Sequence, residues 1–291
     1  MHKTMSRLAV IALAAAAVMA SAAPAAAESE QSPQVIAVHG TANGAVKLSR
    51  HTARAGRITF RTDSAKLPGL SSSIQMIGLA DHVTLAQALA DLQEQHSDDP
   101  ATRAKGTRDA TRDARFYGLV DVVAGTPASV TQTLHAGTYY LFDAGAEPTG
   151  TPPPTILRVH GEAPRQPSAT RSQATVSMTP SDRFITPRVL PANGTIAVRN
   201  ASDTLHIMNI WPVRPGTTDH EIQAWLEDPE TGDSPLLDGP AVGLTVLSPG
   251  RQVQLGYHLP PGTYVLFCEI PDPETGIPHV FTGMHKVVTL K

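Results

Sequence analysis

With a single cysteine, Cys268, the chain cannot close an internal disulfide. The thiol is left as a buried side chain, an intermolecular link or a metal ligand. No His-x-His pair occurs, so a multinuclear metal cluster built on paired histidines has no basis. Gly-x-Ser-x-Gly, His-Glu-x-x-His and a phosphate-binding loop are also missing, which excludes the usual hydrolase elbow, zinc-protease helix and nucleotide cradle. Past residue 20 there is no run of about twenty apolar residues, so no later membrane span is expected. Against 26 acidic residues stand only 23 basic ones, which provides no electrostatic footprint for nucleic acid.

What is present begins with an export pattern. Lys3 and Arg7 precede an apolar, Ala-rich run from Leu8 to Ala20, and Ala25-Ala26-Ala27 follows, as in a secretory signal peptide over residues 1–27. The mature protein is therefore expected to be secreted or held in the periplasm or cell envelope. No cysteine lies near the cleavage point to carry a lipid anchor. Removing the peptide takes Lys3 and Arg7 and no acid, leaving 21 basic and 26 acidic side chains and a net charge of −5.

From Val35 onward short β-branched runs alternate with Gly, Pro and Asn: VIAVHG, AVKLS, RITFRT, IQMIGL, SVTQTL, TYYLF and TILRVHG. Such spacing predicts an antiparallel β-sandwich. VTLAQALADLQEQ, from Val83 to Gln95, is amphipathic and rich in helix formers, and predicts a helix. Ser97 to Arg115 mixes Asp, Arg, Thr and Ala with no apolar face and reads as a solvated loop or frayed helix extension. Pro164–Thr170 is Pro/Ser/Gln-rich and reads as a linker.

The second half repeats the first. GRITFRT from Gly56 answers GTIAVRN from Gly194, IQMIGL from Ile74 answers LHIMNI from Leu205, AQAL from Ala86 answers IQAW from Ile222, and LHAGTYYLFD from Leu134 answers LPPGTYVLFC from Leu259. Four matches in one order predict a duplicated domain. The expected architecture is all-β: two sandwich domains, 34–162 and 175–291, each with one short helix, joined by residues 163–174. The copies part at a few positions. His206 faces Gln75, Cys268 faces Asp143, and Thr149–Arg158, the stretch opposite His279 and Met284, has no His, Cys or Met.

Chemistry is therefore expected in the second copy. Cys268, His279 and Met284 lie within seventeen residues and combine a soft thiolate, a borderline imidazole and a soft thioether. With a second imidazole from another strand, His206, they form the donor set of a mononuclear copper site. A sandwich that holds two imidazoles and a thiolate in a trigonal arrangement lets the metal change oxidation state with little rearrangement.

The second half resembles the cupredoxins, the blue-copper sandwich family, over about residues 175–291, with a scaffold-only echo over about 34–162. The resemblance is carried by Phe184-x-x-Pro187, TIAVRN ending at Asn200, His206, the hairpin Pro260-Pro-Gly-Thr-Tyr264, and Cys268, Pro271, His279 and Gly283-Met284. It implies Greek-key sandwiches and one type 1 copper, with His206 and His279 as imidazole ligands, Cys268 as thiolate and Met284 as axial ligand. Two features depart from familiar members: ten residues separate Cys268 from His279, and Ile207 follows His206 where an Asn often ties the ligand loops together.

The expected function is one-electron transfer with an unidentified redox partner protein. Copper storage or delivery without redox work, or a metal-free binding module, is the alternative, since a long loop suits metal exchange. A copper oxidoreductase rests on the two-domain plan alone. His285 should point away from Met284 to solvent along an alternating strand, and His160, His220 and His258 have no partner at ligand spacing and are expected at the surface.

Overall fold

A computed structural model of the protein describes residues 34–62, 71–123, 126–145, 152–163, 171–230 and 233–291. The expected signal peptide and the Pro164–Thr170 linker lie outside the described residues. In the first half the chain forms β1 (Gln34–Gly40), β2 (Val46–Leu48), β3 (Thr52–Arg54), β4 (Gly56–Thr62), β5 (Ser71–Leu79), α1 (Leu85–Gln95), α2 (Pro100–Asp113), β6 (Ala114–Phe116), β7 (Val120–Val123), β8 (Ala128–Leu134), β9 (Gly137–Asp143) and β10 (Thr155–His160). The second half forms β11 (Ala174–Met178), β12 (Phe184–Ile185), β13 (Val189–Leu190), β14 (Asn193–Asn200), β15 (His206–Pro212), α3 (Asp219–Glu227), β16 (Val242–Leu247), β17 (Gln252–His258), β18 (Gly262–Phe267) and β19 (His285–Leu290).

All seven β-branched runs lie in strands. Where one face of a strand meets the core, burial alternates with period two, as in β8, whose Ala128, Val130, Gln132 and Leu134 are buried in turn. The strands form two large sheets of a β-sandwich. One has the order β12-β11-β14-β17-β8-β4-β1-β2 and the other β13-β19-β18-β15-β16-β7-β5-β9-β10-β3. Ile58, Val130, Ile196 and Leu255 of the first and Met76, Leu141, Met208 and Leu266 of the second belong to one continuous core. The sheets are mixed rather than antiparallel, because β1–β4, β11–β14, β3–β10 and β13–β19 run parallel.

Both sheets cross from one half of the chain to the other, at β8–β17 and at β7–β16. Residues of β16 are buried along their whole length, Thr245 included, which accounts for the mostly apolar run VGLTVL in place of alternation. The same set of pairings occurs on either side of the seam: β4 with β8 and β14 with β17, β9 with β10 and β18 with β19, β5 with β9 and β15 with β18.

The register corrects the expected alignment of the two halves. Gln75 pairs with Phe142 and Asn209 with Phe267, and these phenylalanines hold the same place in the two GTY hairpins. Gln75 therefore answers Asn209, both buried polar residues, and not His206, which lies three residues earlier in β15. The pairing of β15 with β16 shifts register between His206 and Met208, an irregularity that a side-chain pattern repeating every two residues does not reveal.

Among the described residues the first half has two helices, not one. The stretch expected to be a solvated loop forms α2, with Asp99 as its N-cap accepting from Thr102 N at 2.7 Å and Pro100 in its first turn. Its buried residues include Ala104, Gly106, Thr107 and Ala110, so it lacks the large apolar stripe that periodicity detects. Gly106 permits the close approach: a Cβ there would lie 2.3 Å from Gln95 N of α1.

Candidate metal centre

Three adjacent strands bring the candidate donors to one end of the larger sheet. His206 opens β15, Cys268 follows β18 directly and Met284 precedes β19. His279 lies in the connection between the last two strands, its N–H donating to Ile270 O at 3.0 Å. Its own carbonyl accepts from Met284 N at 2.9 Å, and Cys268 N donates to Met284 O at 3.2 Å. These backbone bonds fix Cys268, His279 and Met284 against one another, and all four donor residues are fully buried.

The side chains converge. Cys268 Sγ is 3.6 Å from His206 Nδ1 and 3.7 Å from His279 Nδ1, and the ring centroids are 4.8 Å apart at 54°. Bonds of about 2.0 Å to nitrogen and about 2.3 Å to sulfur, typical for a borderline divalent ion and opened to about 120°, set nitrogen and sulfur roughly 3.7 Å apart. A thiol proton satisfies only one of the two Nδ1 atoms, so hydrogen bonding within the trio leaves a buried nitrogen over. The group fits a type 1 copper site. Met284 is held beside the trio by its burial and its backbone bonds to Cys268 and His279.

Burial keeps the trio neutral. Desolvation drives the His206 imidazole down to about 3, with His279 adding to it, and lowers His279 against the opposing pull of Asp182 and Asp272. Desolvation pushes the Cys268 thiol up to about 12, although the N–H groups of Ile207 and Ile270 partly favour the thiolate.

Side chains and backbone groups outside the donor set hold it in place. Ile207 N donates to Cys268 Sγ at 3.4 Å, so the backbone at this position ties the two ligand segments where an Asn side chain was expected to be missing. Asn200, at the end of β14, is wholly buried; its Nδ2 donates to Thr204 O and Leu247 O at 2.8 Å each, and its Oδ1 accepts from Ser202 N at 3.0 Å. That network pins the turn leading into His206. Asp182, in the turn between β11 and β12 at φ 53°, places Oδ1 3.7 Å from His206 Nε2 and 3.8 Å from His279 Nε2. Nothing in the spacing of TPSDRF marks it, because the hairpin alone carries it over the rings.

The ten-residue connection EIPDPETGIP is closed on itself and docked. Pro271 and Pro278 form a β-bridge, and Asp272 Oδ1 accepts from Thr275 N at 2.7 Å and Glu274 N at 3.1 Å. Arg103 Nε of α2 donates to Gly276 O at 2.9 Å, and Arg108 donates to Pro273 O. Gly276 packs so closely on Pro100 that a Cβ would lie 1.9 Å from its carbonyl oxygen. The helix missed in the sequence thus braces the loop that carries His279.

His285 corrects another expectation: it is buried, not solvent-facing, with Nε2 2.8 Å from Gln223 Oε1 of α3. The covering helix removes the solvent that strand alternation alone assigned to it. His160, His220 and His258 are exposed.

No family model and no curated protein matches the chain. Among solved structures it is similar to auracyanin B, at 20% identity over 40% of this chain and 86% of that one, with a TM-score of 0.26. It is similar to auracyanin of Roseiflexus castenholzii, at 17% identity over 40% and 94%, TM-score 0.25, and to the copper-containing nitrite reductase of Thermus scotoductus, at 14% identity over 89% and 68%, TM-score 0.21. Likeness this distant leaves the chemistry to be read from the side chains.

Proposed function

We propose that this chain is an exported copper protein that carries single electrons through one mononuclear site. In this reading His206, Cys268, His279 and Met284 would hold the ion, residues 175–291 are the metal-bearing copy and residues 34–162 a ligand-free copy of the same domain. The observation that carries it is the pair of Nδ1 atoms 3.6 and 3.7 Å from one buried thiol sulfur. Bound copper supplies a metal that cycles between two oxidation states while its donors stay put.

The residues do the rest. Buried backbone bonds and the Asn200 network hold the donors before any ion arrives, which keeps rearrangement small. Desolvation keeps both imidazoles neutral, each with one ring nitrogen free to donate a lone pair. The α2 arginines and the Asp272 turn hold the His279 loop, which favours constant geometry over the opening that storage or delivery requires. Among the described residues no helix is long and apolar enough to cross a membrane.

Adding Cu(II) to the purified protein is expected to produce an intense visible thiolate-to-copper band with a reversible one-electron couple, and Cys268→Ser to abolish it. A colourless wild-type protein that retains no copper refutes the assignment. Binding of Cu(I) alone, without a couple, replaces electron transfer by storage or delivery.

A further inference from the structure

The larger sheet carries a second feature, on the face under α3. A cavity of about 440 Å³ lies there, within the span of small-molecule sites. Its floor is one row across four strands. Phe267 of β18 pairs with Asn209 of β15, Asn209 with Gly243 of β16, and Gly243 with Asp121 of β7. Directly paired residues project to the same face, so this row needs strands from both halves of the chain. Glu269, two residues past Phe267, extends the row, and α3 covers it with Ile222 and Trp225.

The lining is aromatic and acidic with nothing to balance the acid. Trp211 and Phe267 meet edge-on at 6.3 Å, and Trp225 faces the same space. No Lys, Arg or His among the described residues lines it. Glu269 receives one side-chain hydrogen bond, from Asn209 Nδ2 at 3.3 Å. Around Asp121 the charged neighbours are Glu269 and Asp143, and burial first and these acids second push its carboxyl up to about 7. Gly243 keeps the floor open between the polar groups: a Cβ would lie 2.4 Å from Asn209 Oδ1 and 3.2 Å from Asp121 Cβ.

Asp121 is half-buried and Glu269 exposed, and the two carboxylates face one apolar-walled space, where a positive charge between them relieves their mutual repulsion. The space is larger than a bare ion requires, and neither carboxylate belongs to a cluster of three candidate metal ligands. Indole and phenyl faces attract alkylammonium groups through their quadrupoles. We infer that this cavity is a second binding site, for a small organic cation: an alkylammonium whose charge is met by Asp121 and Glu269 and whose apolar groups lie against Trp211, Trp225 and Phe267. The site is independent of the copper reading.

Both tryptophans of the chain line the cavity, so their fluorescence reports on it. Choline titrated into the full chain is expected to change the emission saturably, whereas 3,3-dimethylbutan-1-ol, of the same shape without the charge, binds at least about tenfold more weakly. Asp121→Asn and Glu269→Gln each weaken choline by about tenfold while leaving the far-ultraviolet circular dichroism unchanged. Equal response to the alcohol reduces the site to an apolar void, and a choline response that never saturates removes it. Calcium binding more tightly than choline makes it a metal site. Each of these overturns the inference, and the wild-type comparison of choline with the alcohol stands even where a variant fails to fold.

Discussion

Copper binding by this chain is expected to cost one proton, taken from Cys268. Burial raises the thiol from 9.0 to about 12, which makes thiolate roughly a thousandfold scarcer than in an ordinary cysteine. His206 is driven down to about 3 and His279 is lowered as well, so neither imidazole has a proton to lose near neutrality. Metal and proton compete for the sulfur only, and the apparent copper association constant should rise about tenfold per pH unit between roughly pH 6 and 8. The sign follows from the thiol: the folded value lies far above this window, so the proton is bound throughout and lower pH always opposes the metal. Ordinary imidazoles, titrating near 6.5, would steepen the slope toward the acid end. Competition against a chelator of known pH dependence measures the slope, and acid released into weakly buffered solution measures the stoichiometry. A slope near zero means a thiolate stands ready in the metal-free protein. A slope climbing to two or three below pH 7 means the imidazoles are charged. Either result refutes the argument that burial sets the protonation of the site.

Asp121→Asn should stabilise the protein in alkaline solution and not in acid. Because the folded carboxyl lies near 7 and the unfolded one near 3.8, the protonated form is favoured by folding, and the stability it brings is complete below 3.8 and lost as pH rises to about 7. Thermal unfolding is expected to show the variant on the order of 2–4 kcal/mol more stable at pH 8 and level with the wild type at pH 4; equal stability at both refutes the burial of the charge. Gly276→Ala combines a φ of 70° with a Cβ driven onto Pro100 O, and should cost about 2–3 kcal/mol by urea unfolding while speeding removal of copper by a chelator. Unchanged chelator kinetics would separate the loop from α2.

Strand positions could be read from the chain because β-branched runs bounded by Gly and Pro express a local preference that tertiary packing here reinforced. The donor chemistry was readable for a similar reason: softness belongs to the side chain itself, and Cys268, His279 and Met284 sit close in sequence. His206, 62 residues from Cys268, was reachable only through its type and order. The α2 helix was hidden because its buried face is made of Ala, Gly and Thr, which pack closely without leaving an apolar period.

By itself, then, the sequence determined where strands form, that one half of the chain bears soft donors, and which residue types they are. Only the tertiary structure decided the register that matches Gln75 with Asn209, the helix that covers His285, the hairpin that hangs Asp182 over both imidazoles, and the four-strand row ending in Asp121. Each of these depends on which strand lies beside which, and pairing between distant segments is set by the burial of whole sheet faces, not by the residues being paired. The protonation of the trio belongs to the same class, since desolvation is a property of everything packed around it.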